Sequence, residues 1–165
     1  MHPRAQELVS SLELNRHPEG GWFREAFRST EQVARSNGGQ RPAATHIYFL
    51  LEGCEHSRWH RVACNEIWNA YEGDSLELAW LSPAWDRIER RVLGPVSHGQ
   101  APTAVVPAGC WQRARTMGAY SLAGCTVAPG FDFDDFELLS DHPEPRERLI
   151  GTFPDEARFL AGASS

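Results

Sequence analysis

Apolar and polar side chains alternate along most of this chain with a period of two, the pattern of strands with one buried face. Short runs of β-branched and aromatic residues recur at close spacing, and residues typical of turns separate them. Many short strands with few helical segments predict an all-β antiparallel sandwich or barrel. The predicted strands are Trp22–Arg28, Thr45–Leu51, Ser57–Val62, Glu66–Glu72, Leu76–Leu81, Arg87–Leu93, Thr103–Val106, Trp111–Thr116 and Tyr120–Ala128.

Helical periodicity is confined to the two ends of the chain. Leu8 and Leu12 lie four residues apart and predict an amphipathic helix over Pro3–Leu14, which a Pro-Glu-Gly-Gly sequence ends. Pro154–Ala161 predicts one or two helical turns, and Ser36–Arg41 predicts a polar loop. We therefore expect one domain over residues 1–165: an N-terminal helix in 1–16, a barrel with an acidic aromatic tail in 17–153, and a C-terminal tail in 154–165.

Charge and composition exclude several classes of function. The 165 residues carry a net charge of −6, and all 16 basic residues are Arg. A chain without Lys supplies no lysine for a Schiff base or a P-loop. The acidic balance disfavours nucleic acid as a partner, and no stretch has the length of a membrane span or the core of a signal peptide. We therefore expect a cytoplasmic protein that binds neither nucleic acid nor a membrane.

Candidate chemistry lies on two neighbouring predicted strands. His60 shares a strand face with Val62, and Glu66 shares one with Trp68. If these strands pair as a hairpin, His60 and Glu66 converge inside the barrel. An imidazole beside a carboxylate binds a divalent metal ion or moves a proton.

Two motifs carry a family resemblance. His60, Glu66 and Gly73, followed by Pro107-Ala-Gly-Cys-Trp-Gln112, resemble the two motifs of the cupin superfamily. Val62 and Gln112 stand where the usual pattern has histidines. One branch, the cupin-5 family of unknown function, is similar over most of the chain. The strings that carry this likeness are HPEGGWFRE (17–25), IYFLL (47–51), WHRV (59–62), EIW (66–68), PAGCWQ (107–112) and GCTVAPGFDFDDFEL (124–138).

The resemblance implies a cupin-type double-stranded β-helix, that is a jelly-roll barrel, with a short N-terminal helix. It also implies a homodimer with a small-molecule ligand in the barrel. Asn65, Asn69 and His46 depart from the family pattern.

The preferred functional prediction is a metal-independent isomerase or epimerase, or a lyase, acting on a polar metabolite that is anionic or sugar-like. By resemblance to sugar-modifying cupins, His60 is the predicted base, Glu66 its orienting partner, and Tyr48 or Tyr120 the acid. No cofactor is required for this chemistry. The predicted substrate-binding residues are Gln112, Trp68, Arg61, His46 and Thr116.

Two alternatives stay open at this point. The first is a metal-dependent dioxygenase that holds a divalent ion with His60, Glu66 and Gln112, with His46 as a further candidate ligand. An amide oxygen suits hard cations better than transition metals, which weighs against this alternative. The second is a cupin that binds or senses a ligand without turning it over.

Overall fold

The computed structural model describes residues 2–35 and 39–162. It has two α-helices, α1 (Pro3–Ser11) and α2 (Pro143–Thr152), and short 3₁₀ segments. Residues 36–38 of the predicted polar loop lie outside the described residues, and a strand takes its last two positions. The strands are β1 (Asn15–Arg16), β2 (Trp22–Arg28), β3 (Gln32–Ala34), β4 (Gln40–Pro42), β5 (Thr45–Glu52), β6 (His60–Val62), β7 (Asn65–Gly73), β8 (Leu76–Leu81), β9 (Ile88–Leu93), β10 (Thr103–Val106), β11 (Gln112–Thr116), β12 (Tyr120–Ala128) and β13 (Phe136–Leu138).

Two antiparallel sheets face each other, which confirms the predicted all-β architecture with a short N-terminal helix. The larger sheet has the order β1-β2-β5-β12-β7-β10, and the smaller has the order β13-β6-β11-β8-β9. A separate ribbon joins β3 and β4. Strands that are distant in sequence are therefore neighbours in space, as in a jelly roll.

The main core fills the space between the two sheets. Phe49 and Trp68 of the larger sheet pack in one buried cluster with Leu78 and Ala114 of the smaller sheet. These residues occupy alternate positions of their strands, so the period-two pattern places them on the inner faces. Toward one end of the sandwich this core gives way to a cavity.

An end of the chain covers part of the outer face of each sheet. Helix α1 packs Ala5 and Leu8 against Leu50 and Leu122 of the larger sheet. Helix α2 and the 3₁₀ segment Pro154–Phe159 cover the smaller sheet. There they bury a second apolar cluster that includes Trp59, Ala79, Leu81, Trp111, Leu139, Leu149 and Phe159.

Helix α2 was not predicted from the sequence. Leu149 is its one buried residue, so no apolar stripe repeats along it, and its prolines resemble turn signals. Pro143 instead occupies the first helical turn, where its missing N–H costs nothing. No described helix combines the length and the apolar character that crossing a membrane requires.

The predicted pairing of the His60 and Glu66 strands as a hairpin is wrong. Strand β6 belongs to the smaller sheet and β7 to the larger one. His60 is instead directly opposite Gln112 on the neighbouring strand β11. His60 and Glu66 therefore lie on opposite sheets and point toward the space between them.

Candidate functional site

A cavity of about 60 Å³ lies between the sheets, next to the main core. A water molecule needs about 10–15 Å³ on the same measure, so the cavity has room for several waters or for one small organic molecule. Strands β2, β5, β7 and β12 form one wall, and β6 forms the opposite wall. Its lining residues are His17, Glu19, Phe23, Glu25, Arg28, Thr45, Ile47, His60, Val62, Glu66, Trp68, Cys125, Val127, Phe131, Phe133 and Phe136.

His60 is a neutral imidazole with a defined tautomer. It is 2% exposed, and its Nδ1 lies 2.8 Å from the carbonyl oxygen of Arg58. A carbonyl only accepts, so Nδ1 carries the proton and Nε2 presents a lone pair. That lone pair faces Oε2 of Glu19 at 3.2 Å.

A second imidazole lone pair faces the same carboxyl oxygen. The backbone N–H of Glu19 donates to Nδ1 of His17 at 3.2 Å, so this nitrogen is also an acceptor. It lies 3.4 Å from Oε2 of Glu19. An ionised carboxylate would repel both lone pairs, whereas a protonated one donates to either of them. The geometry therefore places a proton on Glu19.

Burial moves all three pKa values in the direction that this geometry requires. Desolvation raises the pKa of Glu19 well above its ordinary value, and the nearby Glu66 raises it further, while Arg58 opposes the shift. Desolvation also lowers the pKa of His60 to about 4 and that of His17 to about 3. These directions agree with the proton that the geometry places on Glu19 and with two uncharged imidazoles beside it.

Glu66 is a second buried carboxyl group, held by a chain of donors. The indole Nε1 of Trp68 donates to Oε1 of Gln112 at 3.2 Å, which turns the amide nitrogen of Gln112 toward Oε2 of Glu66. Desolvation raises the pKa of Glu66 to about 7, although the hydrogen bond from Gln112 opposes this. Near pH 7 this group accepts and releases a proton readily.

The loop at residues 17–21 positions Glu19 by means of two glycines. Gly20 and Gly21 have φ of +109° and +71°. A Cβ atom would lie 2.7 Å from the carbonyl oxygen of His56 at Gly20, and 2.8 Å from that of Leu50 at Gly21. Both positions therefore require glycine. The sharp bend turns His17 and Glu19 inward, where both side chains are 6% exposed.

Aromatic side chains form much of the remaining wall. The ring of Phe136 stacks on His60 with centroids 5.7 Å apart, and Phe23 packs edge-on against His17 at 4.4 Å. Phe133 stacks on His17 at 6.3 Å, yet it is 54% exposed. Phe131, Phe133 and Phe136 belong to the predicted acidic aromatic tail, which folds back over the cavity.

The tyrosines predicted as acids lie outside the cavity, which corrects their predicted role. Tyr48 packs beside helix α1 on the outer face of the larger sheet. Tyr120 packs in the same layer, and its hydroxyl donates to Glu72 at 2.9 Å. Phe49 of β5 and Ala123 of β12 face the core. Because side chains alternate along a strand, Tyr48 and Tyr120 at even-numbered positions of the same strands face outward.

Three of the predicted substrate-binding residues also lie elsewhere. His46 contacts Thr126 at 2.8 Å and the hydroxyl of Tyr71 at 3.1 Å on the outer sheet face. Arg61 is paired with Glu137 at 2.8 Å, and its guanidinium lies over the ring of Trp111. Thr116 contacts Ser121 at 2.7 Å and lines a different surface groove.

His60, Glu66 and Trp68 line the cavity, and Gln112 contacts Glu66 and Trp68 without lining it. Glu19 lies beside His60 in the place predicted for Glu66, and Gln112 supports Glu66. His17 and Glu19 were missed as site residues. The signal for them is the sequence HPEGG, whose two glycines mark a constrained bend and which also belongs to the strings that resemble the family.

The donor set does not fit the predicted metal site. Gln112 directs its oxygen to Trp68 and its N–H group to Glu66, so it offers no ligand atom to the cavity. Across residues 2–35 and 39–162, no three or more His, Cys, Asp or Glu side chains are grouped to hold a metal ion.

The sequence was compared with protein-family models and with known proteins. A family model described as "Cupin superfamily (DUF985)" matches residues 6–139. The uncharacterised protein YML079W of Saccharomyces cerevisiae is 28% identical over 171 residues, covering 94% of this chain and 84% of the yeast protein.

Solved structures extend the likeness to the whole fold. Protein SO0799 from Shewanella oneidensis is 34% identical with a TM-score of 0.80, covering 98% of this chain and 97% of that one. A hypothetical protein from Leishmania major is 29% identical with a TM-score of 0.81, covering 94% and 96%. A mutant of Bacillus subtilis oxalate decarboxylase is 16% identical with a TM-score of 0.57, covering 92% and 38%, and shares the fold alone.

Proposed function

This chain belongs to the DUF985 family of the cupin superfamily, and from its cavity we propose that it is a metal-independent isomerase or epimerase. It would move a proton on a carbon atom next to a carbonyl group of a small molecule. The observation that carries the proposal is the carboxyl oxygen of Glu19 between two imidazole lone pairs, in a cavity that Glu66 also lines.

Glu19 is the proposed acid. A carboxylic acid that burial keeps neutral donates a hydrogen bond to a carbonyl oxygen and stabilises the negative charge that develops there. His60 and His17 hold the proton-bearing oxygen by accepting from it. Neither imidazole takes up a proton in the reaction, because their pKa values are about 4 and about 3, so both are positioning residues.

Glu66 is the proposed base, in place of the His60 predicted from the sequence. With a pKa of about 4, His60 is a weak base at neutral pH. Glu66, with a pKa of about 7, is partly ionised there and is better matched to the task. Glu66 belongs to the larger sheet and Glu19 reaches the cavity beside β6 of the smaller one. A substrate that binds between the two sheets would therefore contact Glu66 on one side and Glu19 on the other.

The reaction balances as two proton transfers. Glu66 removes a proton from the carbon next to the carbonyl, and Glu19 passes its proton to the carbonyl oxygen, which gives an enol. When the enol proton goes back to Glu19, return of the Glu66 proton to the same face gives the starting compound, and return to a different carbon gives a double-bond isomer. An epimer forms only when the opposite face of the enol is protonated, either from solvent or after the intermediate turns over in the cavity. No oxidant or reductant is needed.

Exchange of carbon-bound protons in D₂O tests the proposal without a known product. We would follow loss of the α-proton signals by ¹H NMR for acetone, dihydroxyacetone, acetophenone, 4-acetylbenzamide and 4-acetylbenzoate. The protein is expected to accelerate exchange for at least one of them. Glu66→Gln and Glu19→Gln should each lower that rate by about 10²–10⁴-fold, the usual contribution of a general acid or base.

Tyr120→Phe is the matched control, because it removes a hydroxyl group that lies outside the cavity. It should exchange protons at the wild-type rate, and circular dichroism should show that all three variants fold. Binding of these ketones without accelerated exchange would overturn the proposal and favour a non-catalytic binding protein. Equal rates for the wild type and both Gln variants would also overturn it.

A further inference from the structure

We infer that the cavity takes an uncharged, planar, conjugated carbonyl compound, and that it discriminates against anions and polyhydroxylated sugars. This inference rests on the proposed proton transfer and assigns its substrate class. It departs from the polar, anionic or sugar-like metabolite that the sequence predicted.

The shape and chemistry of the wall favour a flat apolar molecule. Phe23, Phe131, Phe133 and Phe136 line the cavity together with Trp68. Phe133 has an uncovered face although it is a large apolar ring, since it is 54% exposed. A planar conjugated ligand would cover that face by offset stacking, which contributes about 0.5–1.5 kcal/mol beyond burial alone.

The charges of the wall disfavour an anion. Among the described lining residues the one cation is Arg28, at the mouth. Glu25 already pairs with it through two hydrogen bonds of 2.9 and 2.7 Å, and a third N–H of Arg28 donates to the carbonyl oxygen of Phe131 at 3.2 Å. A ligand carboxylate would therefore meet two buried carboxyl groups and no unpaired cation.

The supply of hydrogen-bonding groups matches one carbonyl oxygen rather than several hydroxyl groups. Nδ1 of His60 is committed to a backbone carbonyl, and Gln112 is committed to Glu66 and Trp68. Thr45 accepts from the backbone N–H of Phe131 at 2.9 Å. The hydroxyl donor of Thr45, the acid of Glu19 and the carboxyl group of Glu66, which Gln112 and Trp68 already contact, remain. A sugar would leave most of its hydroxyl groups without partners, and each buried unpaired group is costly.

A matched pair of ligands tests the charge preference. 4-Acetylbenzamide and 4-acetylbenzoate have the same shape and the same methyl ketone, but differ by one negative charge. We expect the amide to bind at least about tenfold more tightly than the carboxylate in isothermal titration calorimetry, and dihydroxyacetone to bind more weakly than acetophenone.

Glu25→Gln gives an independent readout of the same inference. It would free Arg28 from its carboxylate without altering Glu19 or Glu66. We expect this variant to bind 4-acetylbenzoate at least about tenfold more tightly than the wild type does, with little change for 4-acetylbenzamide. Glu31→Gln, an exposed carboxylate outside the cavity lining, is the matched control and should leave both affinities unchanged.

The outcomes separate this inference from the proposed function. Equal or tighter wild-type binding of 4-acetylbenzoate, or accelerated exchange confined to dihydroxyacetone, would overturn the substrate class and leave proton transfer intact. Preferred binding of the uncharged aromatic ketones without exchange would support the binding preference and overturn the catalytic proposal. Binding of none of the five probes would overturn the inference.

Discussion

Glu66→Gln should change how stability depends on pH, and the structure gives both sign and size. Burial raises the pKa of Glu66 from an ordinary 4.5 to about 7. Between these values the unfolded chain releases the Glu66 proton while the folded protein keeps it. The contribution of Glu66 to stability is therefore fully present below pH 4.5 and is lost as the pH rises through about 7.

The magnitude follows from the size of the shift. One pKa unit corresponds to about 1.4 kcal/mol, so Glu66 should destabilise the fold by about 3 kcal/mol at pH 8 relative to pH 4. Gln at this position does not titrate, keeps a similar volume, and still accepts from the amide of Gln112. Relative to wild type, the variant should gain about 3 kcal/mol between these two pH values.

Urea unfolding of both proteins from pH 4 to pH 8 measures this difference. Titrating groups that do not interact with Glu66 affect both proteins alike and cancel in the subtraction. Glu19 does not cancel fully, because the Glu66 carboxylate contributes to the upward shift of its pKa. A wild-type minus variant difference that stays constant within about 0.5 kcal/mol would mean that Glu66 titrates with an ordinary pKa. The reasoning that makes Glu66 a base near pH 7 would then be refuted.

Three further predictions concern the rest of the molecule. Glu156→Gln should lower the free energy of unfolding, measured in urea, by about 1.5–3 kcal/mol. Arg113 is 1% exposed, and this variant removes its charged partner at 2.7 Å and leaves Glu77 as the remaining one. A loss below about 0.5 kcal/mol would contradict this prediction. The homodimer expected from the family resemblance should use the outer face of the larger sheet, where Phe27 and Tyr71 are 55% and 50% exposed. Tyr71→Arg should then sediment as a monomer, and a monomeric wild type at micromolar concentration would be evidence against it. Elemental analysis of fresh protein should find far less than one metal ion per chain, whereas stoichiometric iron, nickel or manganese would revive the dioxygenase alternative.

The long strands of the two facing sheets were largely predictable, because alternate side chains of most of them enter the core. Predictions for β2, β8, β10 and β12 agree with the structure at both ends. Which strands pair with each other was not predictable from the period-two alternation of apolar and polar residues alone. Alternation tells which side chains share a face, but His60 and Glu66 are joined by a short connection that crosses between sheets rather than by a hairpin turn.

The site was predictable where a motif marked it and unpredictable where a loop formed it. His60, Glu66 and Gln112 follow from the spacing of the two motifs. Glu19 depends on two positive φ angles that bend the chain into the cavity, and a side chain in an irregular loop has no periodic signal. Tyr48 and Tyr120 show the converse: a suitable functional group is of no use to the site when its strand turns it outward.

Strand β12 lies between β5 and β7, with eight paired positions on each side, although about 50 residues or more separate it from both in sequence. Cys125 and Val127 of this strand form the floor of the cavity. Before β12 inserts, β5 and β7 have open edges and the two carboxyl groups have no shared enclosure. Contacts this remote in sequence slow folding. Insertion of β12 is therefore the step that creates the site, and a chain lacking β12 would expose two sheet edges prone to self-association.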